Sequence, residues 1–393
     1  MAPRARQVLI VGAGAFGISA ALSLRRRGHT VVLTDPGPLP HPDASSTDIS
    51  KIIRADYGAD GFYAELADHA LDAWERWQAG WSRPLFHRTG FLLLRSRELR
   101  PGDYEYDGFT TLREHGWPVS RIDTDTLERY PAWAGGPYVD GYWNPRAGYA
   151  ESARVMSLLI AEAQELGVDV RPGLRCVELL DSDAGVAGAR FDDGSEMRAD
   201  ETIVAAGAWT PQLVPELQPV MWATGQPVMH FRPTDRQPYE ADRFPVWGAD
   251  ISTTGWYGFP VHSNGTIKIG NHGPGVRLEA GDPGEVAPQI IDACREFLAG
   301  SLPGLAVAEL ESTRLCLYCD TFDGDFWIDR HPARKGLLVA AGGNGHGFKF
   351  VPLLGELIAD VLEGRENPVA RRFRWREKGR ERIEQARRPP ETK

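Results

Sequence analysis

Cysteine is scarce in this 393-residue chain: only Cys176, Cys294, Cys316 and Cys319. Four thiols in so long a chain make no framework for a disulfide-stapled fold. Lysine is scarcer than its charge class suggests, with six of the 44 Lys and Arg residues, against 38 arginines. A lysine inside a motif therefore carries weight. Positive charge is outweighed by 54 Asp and Glu, for a formal net charge of −10, and no basic stripe offsets it, which argues against nucleic-acid binding. No apolar run approaches the ~20 residues that a membrane helix needs, and no internal repeat is evident. The apolar run near the N-terminus, Val8 to Val11, reads as a buried strand and not as a secretion signal. These absences lead us to expect a cytoplasmic chain with neither membrane nor nucleic-acid partners; a monomer is expected as well, though not on these grounds. At this length, two domains or one large composite are expected, with ample core.

What is present is concentrated first in Val8 to Asp35, VLIVGAGAFGISAALSLRRRGHTVVLTD. The apolar run suits a strand buried on both faces. Gly12, Gly14 and Gly17 follow in G-x-G-x-x-G spacing, Ile18 to Arg27 reads as a helix closed by Gly28, and Val31 to Leu33 as a second strand ending at Asp35. In such a βαβ unit the first glycine permits the turn, the second lets a pyrophosphate approach the backbone, and the third lets helix and strand pack closely. The helix N-terminus offers free N–H groups to phosphate, and Asp35 is placed to take a ribose hydroxyl. A bound dinucleotide follows. The motif does not separate FAD from NAD, although Asp35 disfavours the 2′-phosphate of NADP.

Further along, a loop rich in Pro, Ser and Asp leads to DISKIIRADYG, Asp48 to Gly58, where charged residues sit among apolar ones. A helix is expected over Phe62 to Trp81 and a strand over Phe91 to Leu94, followed by a polar, turn-rich region to about Pro145. A helix over Ala153 to Leu166 precedes a short strand at Val168 to Val170 and a hairpin over Val186 to Arg198. ETIVAAGAWT, Glu201 to Thr210, reads as a buried strand ending in small residues that permit close backbone approach. GWYGFP and TIKIGNH form a hairpin, and Glu285 to Phe297 a helix. Leu315 to Cys319 and Gly336 to Ala340 are strands, the latter running into GGNGHGFKF, and Val351 to Leu362 is the last helix. The Arg- and Glu-rich remainder, ending in RRPPETK, is expected to be a frayed tail. The fold class is α/β (α+β), a Rossmann-like dinucleotide-binding domain with a mixed-sheet substrate domain, discontinuous in sequence. The expected division assigns 1–84, 148–216 and 322–393 to the first domain and 85–147 and 217–321 to the second.

Taken in order, GAGAFG, DISKIIRADYG, the AAGAW strand, YGFP…KIGNH, RLCLYC and GNGHGFKF resemble the monomeric sarcosine oxidase and fructosyl-amino-acid oxidase (amadoriase) group of D-amino-acid-oxidase-like flavoproteins. The resemblance covers nearly the whole chain. It implies FAD, held by Gly12, Gly14, Ala15, Phe16, Gly17, Asp35, Ser45, Ser46, Lys51, Val177, Ala206, Gly207 and Trp209, and by Gly343, Gly345, His346, Gly347, Phe348 and Lys349. It implies a covalent flavin link through Cys316. From the residues alone, Cys316-x-x-Cys319 leaves a redox dithiol, half a zinc site or structural thiols open. A zinc site lacks a second ligand pair, and a dithiol motif belongs at a strand-to-helix turn.

The resemblance also implies that Lys268 promotes the reaction with oxygen, as a fixed cation would stabilise the negative charge that develops there. Lys268 and His272, four apart in a strand, share a face; His272 could orient substrate or serve a structural hydrogen bond. Arg54 and Lys349 match a pair that grips a substrate carboxylate. Tyr257 and Tyr318 match aromatics beside the substrate, or are core residues. The implied reaction is oxidation of a secondary amine, such as an N-alkyl amino acid, by hydride transfer to flavin N5, with O2 as acceptor and hydrogen peroxide as product. No metal is expected. Two departures blur the subgroup: Lys51 replaces an arginine of the sarcosine oxidases, and His272 a glutamate of fungal amadoriases. An Amadori or natural-product tailoring oxidase of the same build, or a flavin dehydrogenase of a 2-hydroxy acid, are the alternatives.

Overall fold

The computed structural model describes residues 5–133, 136–182 with 183, 185–282, 284–382 and 385–387. Strand β1 (Gln7–Val11) turns at once into helix α1 (Ala15–Arg26), and Gly28, with φ +89°, reverses the chain into β2 (Thr30–Asp35). β1 lies between β2 and the strand Glu201–Val204, both parallel to it. Its residues Val8 to Val11 are buried for that reason. The full six-stranded sheet runs from Trp327–Arg330 through Leu337–Ala341, Glu201–Val204, β1 and β2 to Asp169–Pro172. Only the first of these strands is antiparallel to its neighbour. α1 is backed by the helix Val351–Glu363, whose Gly355 passes so close that a Cβ there would lie 2.2 Å from the Ser19 carbonyl oxygen.

The second layer is a nine-stranded mixed sheet. The long strands Met221–Arg232 and Glu309–Thr321 pair antiparallel along their whole length, and Ile267–Asn271, Trp256–Gly258, Val246–Ala249, Phe91–Arg95 and Asp140–Asn144 continue the sheet. A three-stranded sheet of β3 (Lys51–Ile53), Gly148–Ala150 and Phe86–His87 joins the two layers. Helix α2 (Gly61–Gly80) packs beside it, capped by the Asp60 carboxylate, which accepts from the Tyr63 N–H.

Three expectations need correction. The region before Pro145 is not mainly turns: it holds the helix Tyr104–Glu114 and the strands Ser120–Asp123 and Asp140–Asn144. That helix buries Tyr104, Phe109 and Leu112, a stripe too interrupted to show helical periodicity, and the Asp-Gly and Asn of the last strand are poor strand formers. The helix expected over Glu285–Phe297 runs instead over Pro288–Ser301, because Pro288 presets its first turn. The described part of the remainder after Glu363 is not frayed. Arg372 pairs with Asp60 and Asp325, Arg376 with Asp323, Phe373 is fully buried, and a turn at Gln385–Arg387 docks in the core. Charge composition suggested a frayed tail; pairing across the fold holds the described part in place instead. Residues 383, 384 and 388–393 of that expected tail lie outside the described residues. None of the described helices is long and apolar enough to cross a membrane.

Candidate active site

The site begins where β1 meets α1. Gly12 has φ +105°, and a Cβ on it would lie 2.5 Å from the Ala205 carbonyl oxygen; one on Gly17 would lie 1.8 Å from the Gly12 carbonyl oxygen. Only glycines let helix and strand meet this closely. α1 starts at Gly14 with no side-chain cap and no acidic residue in its first turn, so its first N–H groups stay available to an anion. The Ser46 hydroxyl is buried, finds no hydrogen-bond partner among the described residues, and faces the Gly14 side of the turn. At the end of β2 the Asp35 carboxylate accepts from the Ala13 N–H at 2.9 Å and the Gly37 N–H at 3.3 Å. Burial raises its pKa, and these two donors oppose the rise. A glycine cradle, an orphaned hydroxyl and a fixed acid fit a dinucleotide's pyrophosphate and ribose.

From this cradle a cavity of about 390 Å³ runs between the two layers. It is walled by Gly12, Gly14, Ala15, Phe16, Asp35, Ser45 and Ser46 at one end and by Lys51, Arg54, Tyr257, Lys268, His272 and Tyr318 at the other. Ala206, Gly207, Trp209, Gly343, Gly345, His346, Gly347, Phe348 and Lys349 line its sides. Three expected residues do not form this wall. Gly17 stands behind it, packed on Gly12. Val177 is half-exposed, while its neighbours Arg175 and Cys176 face the cavity. Cys316 is buried just behind Lys51, whose Nζ lies 3.5 Å from its Sγ; Cys319 does reach the wall. His41, whose ring lies 6.3 Å from that of Trp209, is a wall residue with no recognisable signal in the sequence.

The cationic end is built around Asp48, which the sequence places in a charged motif without indicating a role. Its Oδ2 accepts from Lys268 Nζ at 2.7 Å and from Lys51 Nζ at 3.3 Å, and its Oδ1 lies 3.8 Å from His230 Nε2. Burial alone would raise the Asp48 pKa, but the two ammoniums hold it well below the ordinary carboxylate range. Lys268, 0% exposed, also donates to the Ser50 carbonyl at 2.6 Å and lies 5.0 Å from the centre of the Phe259 ring. Burial pushes its pKa down to about 8, against the pull of Asp48. It is thus no exposed strand lysine. His262, bonded to Ser50 Oγ at 2.7 Å, is pushed down to about 4 by burial, with Lys268 adding to the fall, and so is neutral near pH 7.

Across the cavity, Arg54 donates to the Tyr104 hydroxyl at 2.9 Å and sits over the Tyr57 ring. Lys349 donates to the Tyr57 hydroxyl and to the His346 carbonyl, each at 3.0 Å. Tyr57, another residue without a sequence signal, therefore ties the two cations together and contacts His346 Nδ1 at 3.0 Å. The GNGHGFKF turn is held from outside by Trp74 of α2, whose Nε1 donates to the Lys349 carbonyl at 2.7 Å. At Gly345, φ +72°, a Cβ would lie 1.9 Å from the Tyr318 ring, so a glycine is what lets that ring lie against the turn. Tyr318 and His272 have ring centres 6.1 Å apart, and the His272 N–H donates to the Gly255 carbonyl at 2.7 Å. The Tyr257 hydroxyl pairs with that of Tyr318, and burial drives both pKa values up, keeping both phenols neutral. Among the described residues no His, Cys, Asp and Glu cluster could hold a metal ion.

This geometry agrees with the comparisons. The chain is 28% identical over 362 residues to monomeric sarcosine oxidase of Bacillus sp. (strain B-0618), covering 90% of this chain and 91% of that protein. It is 29% identical over 375 residues to N-methyl-L-tryptophan oxidase of Salmonella heidelberg (strain SL476), covering 91% and 95%. Among solved structures, the fructosamine oxidase of Aspergillus fumigatus (Amadoriase II) superposes with a TM-score of 0.82 at 26% identity, covering 94% of this chain and 89% of that one. Residues 7–361 match the family described as FAD dependent oxidoreductase (DAO), and the chain belongs to that family.

Proposed function

We propose that this protein oxidises a secondary amine bearing a carboxylate, an N-alkyl amino acid or close relative, converting CH–NH to C=N with O2 as acceptor and hydrogen peroxide as product. The observation that carries the reading is the convergence of Arg54 and Lys349 on one side of a single cavity with Lys268 and His272 on another, beside a dinucleotide cradle. FAD, when bound, supplies the two-electron acceptor and the onward route to oxygen. Arg54 and Lys349 bind the carboxylate, the first by bidentate donation and the second as a compact charge. Tyr257, Tyr318 and Phe348 exclude water and orient the amine. Tyr257 and Tyr318 are neutral phenols and take no proton from the amine, so the amine reacts from its unprotonated form, with His272 fixing its nitrogen lone pair. Lys268, held by Asp48 and Ser50, presents a fixed positive charge where reduced oxygen develops negative charge. The cradle residues Gly12, Gly14, Ala15, Phe16, Ser45, Ser46 and Asp35 would hold the pyrophosphate and ribose, and the Cys316 thiol would tether the flavin, the two electrons lost in forming that bond passing through the flavin to O2; this needs Cys316 to shift from its place behind Lys51 to the cavity wall. The sequence division into two discontinuous domains is proposed with this reading, cofactor on one and substrate on the other.

A fructosyl amine as substrate is the second reading. It is favoured by Lys51 in the DISKIIR motif and by the likeness to Amadoriase II. A dehydrogenase of 2-hydroxy acids fits less well, since it has no use for a buried cation like Lys268. The test is anaerobic mixing of the flavin-loaded protein with sarcosine, N-methyl aromatic amino acids, fructosyl amino acids and pipecolate. Loss of flavin absorbance with at least one secondary amine, followed by stoichiometric peroxide when air is admitted, is expected. Bleaching by lactate alone, or by none of the panel, overturns the reading.

A further inference from the structure

The last described turn of the chain, Gln385–Arg387, reaches the cavity from outside. Arg387 is 8% exposed and grips Asp320 bidentately, Nη1 to Oδ1 at 2.9 Å and Nη2 to Oδ2 at 2.7 Å. Its Nε donates to the Gly273 carbonyl at 3.3 Å, and its guanidinium lies 5.6 Å from the centre of the Tyr318 ring. Gly273 directly follows His272, and Asp320 lies two residues beyond Tyr318 on the same strand. One guanidinium thus holds the two chain segments that carry the wall residues Tyr318 and His272. The neighbouring Ala386 is 1% exposed, and the Gln385 side chain donates to the Gly102 carbonyl at 3.0 Å. Upstream, Arg372 and Arg376 fasten the same segment to Asp60, Asp323 and Asp325. The segment is a strap, anchored at one end beside α2 and at the other behind the wall.

We infer that Arg387 is a positioning residue for substrate selection: through Asp320 and Gly273 it sets the spacing of Tyr318 and His272, and hence which amine substituents the cavity admits. Nothing in the local sequence hints at this, as Arg387 lies in a run of charged residues near the end of the chain. A bidentate Arg–carboxylate pair fixes distance and plane together, which a single lysine contact does not. Two buried charges with full hydrogen bonding also favour one arrangement over others. The inference rests on the amine-oxidase reading and deepens it.

The test compares the full-length, flavin-loaded wild-type protein with Arg387→Ala, Arg387→Lys and the uncharged pair Arg387→Met/Asp320→Asn. Anaerobic flavin reduction is measured with a small amine, sarcosine, and a bulky one, N-methyltryptophan, and the rate constant over KM is taken for each. Amide hydrogen exchange of the flavin-free protein is followed at residues 272–273 and 317–320. For Arg387→Ala we expect the ratio between the two amines to change at least tenfold, with reoxidation by O2 and flavin content within twofold of wild type. Exchange at those amides should rise at least tenfold, and Arg387→Lys should recover part of both effects. An unchanged ratio overturns the inference, even if exchange rises, because the strap is then only structural. Equal loss of reduction, reoxidation and flavin content also overturns it. If Arg387→Ala does not fold, the uncharged pair decides: wild-type discrimination there refutes the inference, and altered discrimination supports it. If neither amine reduces the wild-type flavin, the pair is replaced by the smallest and bulkiest amines of the panel that do, and if none of the panel does, it is the amine-oxidase reading that has failed.

Discussion

Replacing Lys268 with Met separates the two halves of the proposed reaction. The side chains are similar in size, so the perturbation is chiefly the loss of one ammonium from a site where it is 0% exposed and 2.7 Å from Asp48. Removing one partner of a buried pair typically costs about 3–5 kcal/mol. Here Lys51 remains 3.3 Å from the same carboxylate, so we expect about 2–3 kcal/mol, small enough to leave a folded protein. A preorganised charge or donor at a developing anion is worth about 10²- to 10³-fold in rate. Stopped-flow spectroscopy of the loaded enzyme should therefore show reoxidation by O2 slowed by about that factor, and anaerobic reduction by substrate slowed less than about fivefold. A companion change tests the charge itself. Lys268 has its pKa pushed down to about 8 by burial, so reoxidation should fall as pH rises through about 8, where the ammonium loses its proton. Asp48 opposes that depression. Asp48→Asn should therefore move the midpoint to lower pH by at least about one unit, equivalent to about 1.4 kcal/mol. Equal slowing of both half-reactions in Lys268→Met, or a midpoint that does not move or moves upward in Asp48→Asn, would refute the reasoning.

Arg54→Gln and Lys349→Met should each weaken binding of a short carboxylate competitor, read as a perturbation of the flavin spectrum. A charge-assisted hydrogen bond contributes about 1.5–3 kcal/mol, so a loss of roughly 10- to 150-fold is expected; unchanged binding in both variants would remove them from the carboxylate site. Cys316→Ala should release its flavin on acid precipitation while the unmodified protein retains it, and release from the unmodified protein argues against the tether. Gly17→Ala would place a Cβ 1.8 Å from the Gly12 carbonyl oxygen, a clash with backbone that cannot relax locally. Protein that is insoluble or carries little flavin is expected, and a normal flavin content with unaltered melting would show that the turn yields more than this geometry allows.

The nucleotide half was legible because its signals are local. Gly12, Gly14, Gly17, Gly28 and Asp35 lie within one βαβ unit, and each answers a requirement of its own backbone position. The helix Tyr104–Glu114 was missed because only part of one face is apolar, and its first turn carries Glu105 and Asp107. Glu105 is nevertheless fully buried, bonded to Arg95 and Ser252, and a buried charge of that kind looks like a surface charge in a linear sequence. The C-terminal segment misled for the same reason, Arg372, Arg376 and Arg387 having acidic partners 47 to 312 residues away.

The sequence by itself determined that the N-terminal turn is built for a dinucleotide, and named many of the residues that line the cavity beside it. It did so because hydrophobic period, glycine spacing and strand-end acids act over a few neighbouring residues. The tertiary structure alone decided which charges compensate one another. Asp48 meets Lys268 across 220 positions and Arg387 meets Asp320 across 67. Such pairs form where separate strands and turns converge, and their strength comes from exclusion of water, a property of the packed whole that no stretch of sequence carries.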